Sequence, residues 1–243
     1  MDKKQNLSFN HLKKLNDQFD QQLQELDSNR PSDSSFSWKK MVLSMLSGIL
    51  ALVLPFFLLV RTSIFMYNTY QINGWVALSI GCMVTVILLL LYGGTFVYKF
   101  GMGNKALKYM LQGVLMIVAA YMFYGVLYYS SLNTKTEEIH SYYRSLHPIM
   151  RVALTTVTLA DSDIVITDIQ RSSEDYQGMG LSENRQSLHY VQPSGYVHAV
   201  DLRTRGRAEW ENWVFEYSFK LLGLSTIRHV GTADHLHVYL PIK

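Results

Sequence analysis

Three long runs of hydrophobic residues fill the middle of the chain, at residues 41–61, 75–100 and 106–130. A helix that crosses a membrane needs about 20 mostly apolar residues, because each residue advances it by about 1.5 Å across about 30 Å of hydrocarbon. Each run reaches that length. Trp and Tyr also stand near the ends of the second and third runs, where their amphipathic rings favour lipid headgroups. The pattern therefore predicts three transmembrane helices.

The chain before these runs has the period of an amphipathic helix. Hydrophobic residues recur there every three or four positions, which places them on one helix face. They are Leu12, Leu15, Phe19, Leu23 and Leu26. A stretch rich in Ser, Pro and Asp at residues 28–35 predicts a linker after this helix. We expect the helix to lie on the membrane or on a neighbouring surface, or to associate with a second copy as a short coil.

The chain after the runs mixes strand and helix patterns. The predicted elements are a helix over 134–160 that restarts at Pro148, strands over 163–169, 196–202, 225–230 and 235–240, and a helix over 208–223. We expect the aromatic residues of the helix over 208–223 to pack on the sheet, namely Trp210, Trp213, Phe215 and Phe219. This order predicts a compact α+β domain with an antiparallel sheet. The predicted organisation is a first region over 1–40, three spans over 41–130 and a domain over 131–243.

Lysines flank the hydrophobic runs on one side only. They are Lys39 and Lys40 before the first run, and Lys99, Lys105 and Lys108 around the second loop. Residues 62–74 contain no Lys or Arg. Since cytoplasmic flanks carry the excess of these residues, three spans place the N-terminus in the cytoplasm and the last domain outside. We expect a multi-pass protein of a bacterial cytoplasmic (inner) membrane with a periplasmic or extracytoplasmic C-terminal domain.

Cysteine content and charge narrow the classes of function. Cys82 is the single cysteine, which excludes an intrachain disulfide and is compatible with a bacterial periplasm. After residue 130 the chain has 11 Lys and Arg against 13 Asp and Glu, which is not the composition of a nucleic-acid-binding surface. The three runs contain no acidic residue, which disfavours an ion or proton pathway through them.

Histidines in the last domain give the main chemical signal. Seven of the eight histidines lie after residue 130. Strand alternation places His235 and His237 on one face of the predicted last strand, directly after Asp234. His189 and Asp201 belong to a second segment that runs from a loop into a strand. Two His and one Asp can bind Zn²⁺ and leave a fourth position for water, whose proton a nearby carboxylate can accept.

These segments resemble the LAS-type zinc peptidases, which include D-alanyl-D-alanine carboxypeptidases, phage L-alanyl-D-glutamate endolysins and the hedgehog signalling domain. The shared motifs are Ser187-Leu188-His189, Ala199-Val200-Asp201-Leu202 and Asp234-His235-Leu236-His237. The resemblance covers residues 145–243 and does not extend to the spans. It implies His189, Asp201 and His237 as zinc ligands, Asp234 as general base and Arg171 as a substrate contact, with His235 as a further catalytic candidate.

The spacing between the first two predicted ligands departs from the family. Eleven residues separate His189 from Asp201, which is more than the family usually has. The long spacing has three possible explanations: the loop carries an insertion, His198 replaces His189, or the first ligand is lost. An insertion costs little closure entropy and keeps the Ser-x-His motif, so we favour it. His198 is the weaker candidate, and His229 is weaker again.

These observations predict a membrane-anchored zinc metallopeptidase that cleaves peptidoglycan stem peptides. The alternative is an inactive peptidase-like membrane protein that binds cell-wall peptides or a protein partner. A phage lysis protein that joins a holin-like membrane part to an endolysin is a third hypothesis, although no residue singles it out. The spans or the N-terminal helix are where we expect any homo-oligomer to form.

Overall fold

The computed structural model describes residues 9–28, 37–127, 133–178, 180, 182, 184, 186–231 and 234–241. The predicted linker from residue 29 onward and the end of the third hydrophobic run, residues 128–130, lie outside these residues. By its internal contacts the chain forms two units, Met1–Leu50 and Ala51–Lys243.

The first unit contains helix α1 (Phe9–Ser28) and the beginning of helix α2 (Trp38–Tyr70). α1 confirms the predicted amphipathic helix. Apolar side chains of its stripe, such as Leu12 and Phe19, are exposed. Within the described part of the chain, the stripe is therefore left uncovered.

The three predicted spans are helices α2, α3 (Gly74–Lys99) and α4 (Asn104–Leu127). All three are long and apolar enough to cross a membrane, which supports a membrane protein. α2 is longer than predicted, since it continues for nine residues after Arg61 and takes up most of the expected loop. Ser63 and Ile64 in this extension are buried, because Ser63 lies against Gly81 of α3 and Ile64 lies near Gly223 in the C-terminal part of the chain.

The described residues after α4 form short helices and strands. They are β1 (Asn133–Thr134), α5 (Glu137–Ser141), a 3₁₀ turn (Tyr142–Ser145), α6 (Pro148–Thr158), β2 (Val165–Asp168), α7 (Ser173–Gly178), β3 (Ala199–Arg203), α8 (Glu209–Leu222), β4 (Ser225–His229) and β5 (His235–Tyr239). The α+β class, the restart at Pro148 and the four predicted strands are confirmed.

The strands form one sheet in the order β1-β2-β3-β5-β4. β1 pairs with β2 in parallel, whereas the other three pairs are antiparallel. The sheet is thus mixed, and the prediction of an antiparallel sheet was wrong for β1. The chain crosses over through α5 and α6 between β1 and β2, and a crossover of this kind returns the chain in its original direction.

Helix α6 is the centre of the hydrophobic core in the second unit. Nine of its eleven residues are buried. On one side it packs against α3 and α4, and on another against α8. The same core contains Leu59, Val60 and Ile64 of α2, together with Leu236 and Val238 of β5. The span ends and the C-terminal elements therefore share one core.

Helix α8 buries one face in this core and exposes another. Phe215 and Phe219 are 3% and 1% exposed, as expected for positions that pack inward. Trp210 and Trp213 are 68% and 59% exposed, so the expectation that these two rings pack on the sheet was wrong. All four positions are aromatic, but at 3.6 residues per turn the two tryptophans lie on the side away from the two phenylalanines.

Candidate metal centre

The register of β3 and β5 brings two of the predicted ligands together. Asp201 lies directly opposite His237 on the neighbouring strand. In β5, Leu236 and Val238 are buried in the core while His235 and His237 lie on the other face, as alternation predicts. β5 therefore contributes one face to the hydrophobic core and the other face to the candidate metal centre.

A loop held by backbone hydrogen bonds brings His189 to the same place. The backbone N–H of Arg171 donates to the His189 carbonyl at 3.1 Å, and that of His198 donates to the Leu188 carbonyl at 3.0 Å. His189 Nδ1 lies 2.7 Å from the Ile169 carbonyl oxygen. A carbonyl oxygen only accepts, so Nδ1 carries the hydrogen and Nε2 keeps a lone pair for a ligand.

Three potential ligand atoms converge within a small triangle. His189 Nε2 is 3.2 Å from His237 Nδ1 and 3.3 Å from Asp201 Oδ1, and His237 Nδ1 is 2.7 Å from Asp201 Oδ1. Ligand bonds of about 2.0–2.1 Å in a tetrahedral zinc site imply separations of about 3.4 Å between ligand atoms. Two sides of the triangle match this value and the third is a hydrogen bond, so the group fits a metal ion with little movement.

The electrostatics of the triangle also favour a cation. His189 Nε2 and the Asp201 carboxylate face each other in a buried setting, where a proton on the imidazole or a metal cation between them is needed to relieve the contact of two acceptors. Burial alone would raise the pKa of Asp201, but hydrogen bonds and charge from His189 and His237 outweigh it and hold that pKa far below its usual range. Asp201 is therefore ionised at neutral pH and available as a ligand.

Arg171 fixes the orientation of the Asp201 carboxylate. Its Nη2 donates to Asp201 Oδ2 at 2.8 Å, and its Nε donates to Asp168 Oδ2 at 2.5 Å. Because Oδ2 is occupied in this way, Oδ1 is the oxygen that points toward the two histidines. Sequence reasoning found Arg171 but missed Asp168, whose only signal was its position at the end of a predicted strand three residues earlier.

The triangle opens into a cavity of about 300 Å³. The cavity is lined by Arg171, Tyr176, Asn184, Ser187, His189, Asp201, Ile227, His229, His235 and His237. His235 Nε2 is 3.8 Å from Asp201 Oδ2, and the His235 ring stacks on His229 with 4.7 Å between ring centroids. The structure therefore brings five of the six predicted site residues together.

Asp234 is the predicted residue that lies apart from the cavity lining. Its carboxylate accepts hydrogen bonds from Thr204 Oγ1 at 2.8 Å and from Arg228 Nε and Nη2 at 2.9 and 3.0 Å. The hydrogen bonds from Arg228 lower the pKa of Asp234. A carboxylate with a lowered pKa that is engaged in this way is poorly suited to accept a proton in the cavity.

His198, the alternative first ligand, belongs to a different group of rings. This group, the junction cluster, consists of Tyr67, His147, Tyr196 and His198. His198 Nε2 is 2.7 Å from Ser194 Oγ, and its ring centroid lies 4.8 Å from that of His147 and 6.0 Å from that of Tyr67. The geometry thus leaves His189, and not His198, beside Asp201 and His237.

No protein-family model, curated protein or solved structure matches this chain. The resemblance to LAS-type peptidases accordingly rests on the sequence motifs alone, while the metal-binding geometry stands on the structure itself.

Proposed function

We propose that the chain is a membrane-anchored, zinc-dependent peptidase with its active site at the candidate metal centre. One observation carries the proposal: three potential ligand atoms converge at the edge of an open cavity, and two of their three separations suit tetrahedral zinc. Two His and one Asp leave a coordination position for water, as catalytic zinc sites require.

The zinc ligands in this proposal are His189 Nε2, Asp201 Oδ1 and His237 Nδ1. When bound, zinc would supply a water of lowered pKa and polarise the scissile carbonyl. Arg171 holds the Asp201 carboxylate through Oδ2 and presents its guanidinium to the cavity, where it can orient a substrate carboxylate. His235 is the lining side chain that we assign to proton transfer, in place of Asp234.

The substrate that we propose is the stem peptide of peptidoglycan, cleaved as by a D,D-carboxypeptidase or an L,D-endopeptidase. Two independent arguments support it. The motifs resemble those of enzymes that act on such peptides, and the lysine distribution favours an extracytoplasmic domain on a bacterial membrane, the side where peptidoglycan lies.

The first test is the zinc content of the full chain, purified in detergent under metal-replete conditions and measured by elemental analysis. We expect one zinc per chain, retained in the His198→Ala variant and lost in His189→Ala. Cleavage of synthetic stem peptides should follow the same pattern. Wild-type protein without zinc, or zinc loss only in His198→Ala, would overturn the proposed site.

A second candidate function is a peptidase-like module that binds cell-wall peptides or a protein partner without cleaving them. The observation in its favour is the ion pair between Arg228 and Asp234, because it occupies the carboxylate that was predicted to act as general base. The Asp234→Asn and His235→Ala variants separate the two functions. For an enzyme we expect His235→Ala to lower kcat by about 100-fold or more and Asp234→Asn by less than about tenfold. Stoichiometric zinc with no cleavage by the wild type would favour the binding module.

A further inference from the structure

Helix α8 has a second apolar face that is largely exposed among the described residues. We call this the outer face; it consists of Trp210, Trp213, Val214, Tyr217 and Leu221. These side chains are between 44% and 68% exposed. At 100° per residue they lie opposite Phe215 and Phe219, which are buried in the core. A helix that is apolar on opposite sides is normally covered on both.

The C-terminal end of α8 lies against the first span where its hydrophobic run ends. Gly223 follows the helix with φ of 104°, a conformation that ends helices and favours glycine. Any Cβ at this position would meet the guanidinium of Arg61 and come within 3.2 Å of Ile64 Cγ2. Arg61 is the first charged residue after the apolar run of α2. This end of α8 therefore lies beside the end of the apolar run of α2.

The N-terminal end of α8 is tied to the spans by a different route. Trp210 lines a cavity together with Val157 at the end of α6. The preceding residue, Thr156, places its Oγ1 2.6 Å from the hydroxyl of Tyr121 in α4. The Tyr121 ring in turn contacts Phe56 of α2, with 4.9 Å between centroids. Both ends of α8 thus lie close to residues that contact the candidate spans, toward the C-terminal ends of α2 and α4.

We propose that the outer face of α8 lies in the headgroup region of the bilayer that the three spans cross. Trp and Tyr are the residues that membranes favour at this depth. The charged residues of α8 lie on the flanks of the outer face, as in helices that rest in the interface plane; they are Glu209, Glu211, Glu216 and Lys220. The lipid surface thereby covers the second apolar face and fixes the tilt of the C-terminal elements.

The test measures lipid contact at single labelled positions of the full chain in phosphatidylcholine nanodiscs. Val214→Cys, in a Cys82→Ser background, carries an environment-sensitive fluorophore on the outer face. The matched control is Val230→Cys, which is 83% exposed and lies outside α8. We expect phosphatidylcholine with a nitroxide near its headgroup to quench the label at 214 and not at 230. Aqueous iodide should quench the label at 230 and not at 214.

A second labelled position, Leu221→Cys, repeats the measurement near the Arg61 end of the helix and should behave like position 214. Equal quenching by iodide at 214, 221 and 230 would mean that the outer face lies in water, which overturns the proposal. Protection from iodide without quenching by the nitroxide lipid would mean that protein covers the face, which also overturns it. Far-UV circular dichroism confirms that each variant retains its helices.

Discussion

Asp201 uses its two carboxylate oxygens for different purposes. Oδ2 accepts a hydrogen bond from Arg171, and Oδ1 faces His189 and His237. Partners of this kind, one contact away from a metal, fix the orientation of the ligand and raise its affinity for the ion. The affinity of the site for a metal ion therefore depends on Arg171, which is not itself a ligand.

Replacement of Arg171 by Ala should weaken zinc binding without removing a ligand. The Asp201 carboxylate would lose its anchor, and losses of this type lower metal affinity by about 10- to 100-fold. The measurement is competition with a chelator of known affinity. Arg228→Ala is the matched control, because Arg228 pairs with Asp234 outside the cavity lining. Equal weakening in both variants would contradict the role of Arg171.

The buried histidines of the junction cluster predict loss of stability in acid. Burial, with the nearby charges of His198 and Arg151, lowers the pKa of His147 to about 3, and burial lowers that of His198 to about 4. In the unfolded chain both bind a proton below about pH 6.5, so the unfolded state holds more protons between pH 6.5 and 4. Stability is complete above this window and falls as the pH drops through it, by about 2 kcal/mol per histidine at pH 5.

Chemical unfolding of the full chain at pH 7 and pH 5, with a chelator present, measures this effect. Asp201 adds little in this window, because its ordinary pKa already lies below the window. The His198→Gln variant should show a smaller difference between the two pH values. An unchanged difference would exclude His198 as a source of the acid sensitivity.

At the scale of elements, the beginning of α3 lies unusually close to the start of α6. A Cβ on Gly74 would lie 2.5 Å from His147 Cε1. The His147 ring has little room to move, because it packs between Tyr67 and Tyr196, and its Nδ1 accepts a hydrogen bond from the Ile149 backbone N–H at 3.3 Å. The absence of a side chain at position 74 permits this packing.

Gly74→Ala should therefore destabilise the protein by about 1–3 kcal/mol, the range typical of overpacking. The control is Gly94→Ala in the same helix, where an added Cβ meets no atom within 4 Å. Alanine is the better helix former, so this control should be neutral or slightly stabilising. The measurement is the midpoint of thermal unfolding of both variants in detergent, which should be lower for Gly74→Ala than for Gly94→Ala. Similar midpoints would argue against a close contact at Gly74.

The elements with long or regular patterns could be predicted from the sequence. The spans are long and apolar, and in β5 polar and apolar residues alternate, which places His235 and His237 on the face opposite Leu236. β1 could not be predicted, because two residues have no period and their pairing depends on a crossover. The extension of α2 was also missed, since residues after Arg61 such as Ile64 become buried only through contacts with other elements, including the end of α8.

The candidate site shows a similar division. His189, Asp201 and His237 could be predicted because the chemistry of their side chains is specific and their motifs are local. The position of Asp234 could not, because Arg228 and Thr204 reach it through strand pairing and a turn that no spacing reveals. Likewise, the sequence could not show that Trp213 is exposed, because an aromatic residue is equally suited to a core position.

At the scale of the whole molecule, the spans and the C-terminal elements are not independent. Leu59 of α2 and Leu78 of α3 belong to the same buried cluster as Leu146 and Ile149. Arg151, in the middle of α6, donates from Nη1 to the Val126 carbonyl oxygen near the end of α4 at 2.9 Å. The buried guanidinium thus connects α6 to the last described turn of α4.

A fragment that begins at residue 131 should fail to fold as a stable domain. Without the spans, apolar residues of α6 that pack on α3 and α4 would face water, at a cost of about 25 cal/mol for each Å² exposed. We expect the fragment to bind a hydrophobic dye and to lack a cooperative thermal transition, in contrast to the full chain. A soluble fragment with a sharp transition would show that the domain has a sufficient core of its own.

The extension of α2 past Arg61 has a consequence for how the proposed enzyme meets its substrate. A catalytic domain on a flexible tether samples a wide volume above its membrane. Here α2 continues without a break from the candidate span into the core, so in the proposed enzyme the metal centre would be held at a fixed height above the membrane. The length of α2 beyond the membrane would then fix the distance between the metal centre and the bilayer. Only peptides at that distance from the membrane could bind.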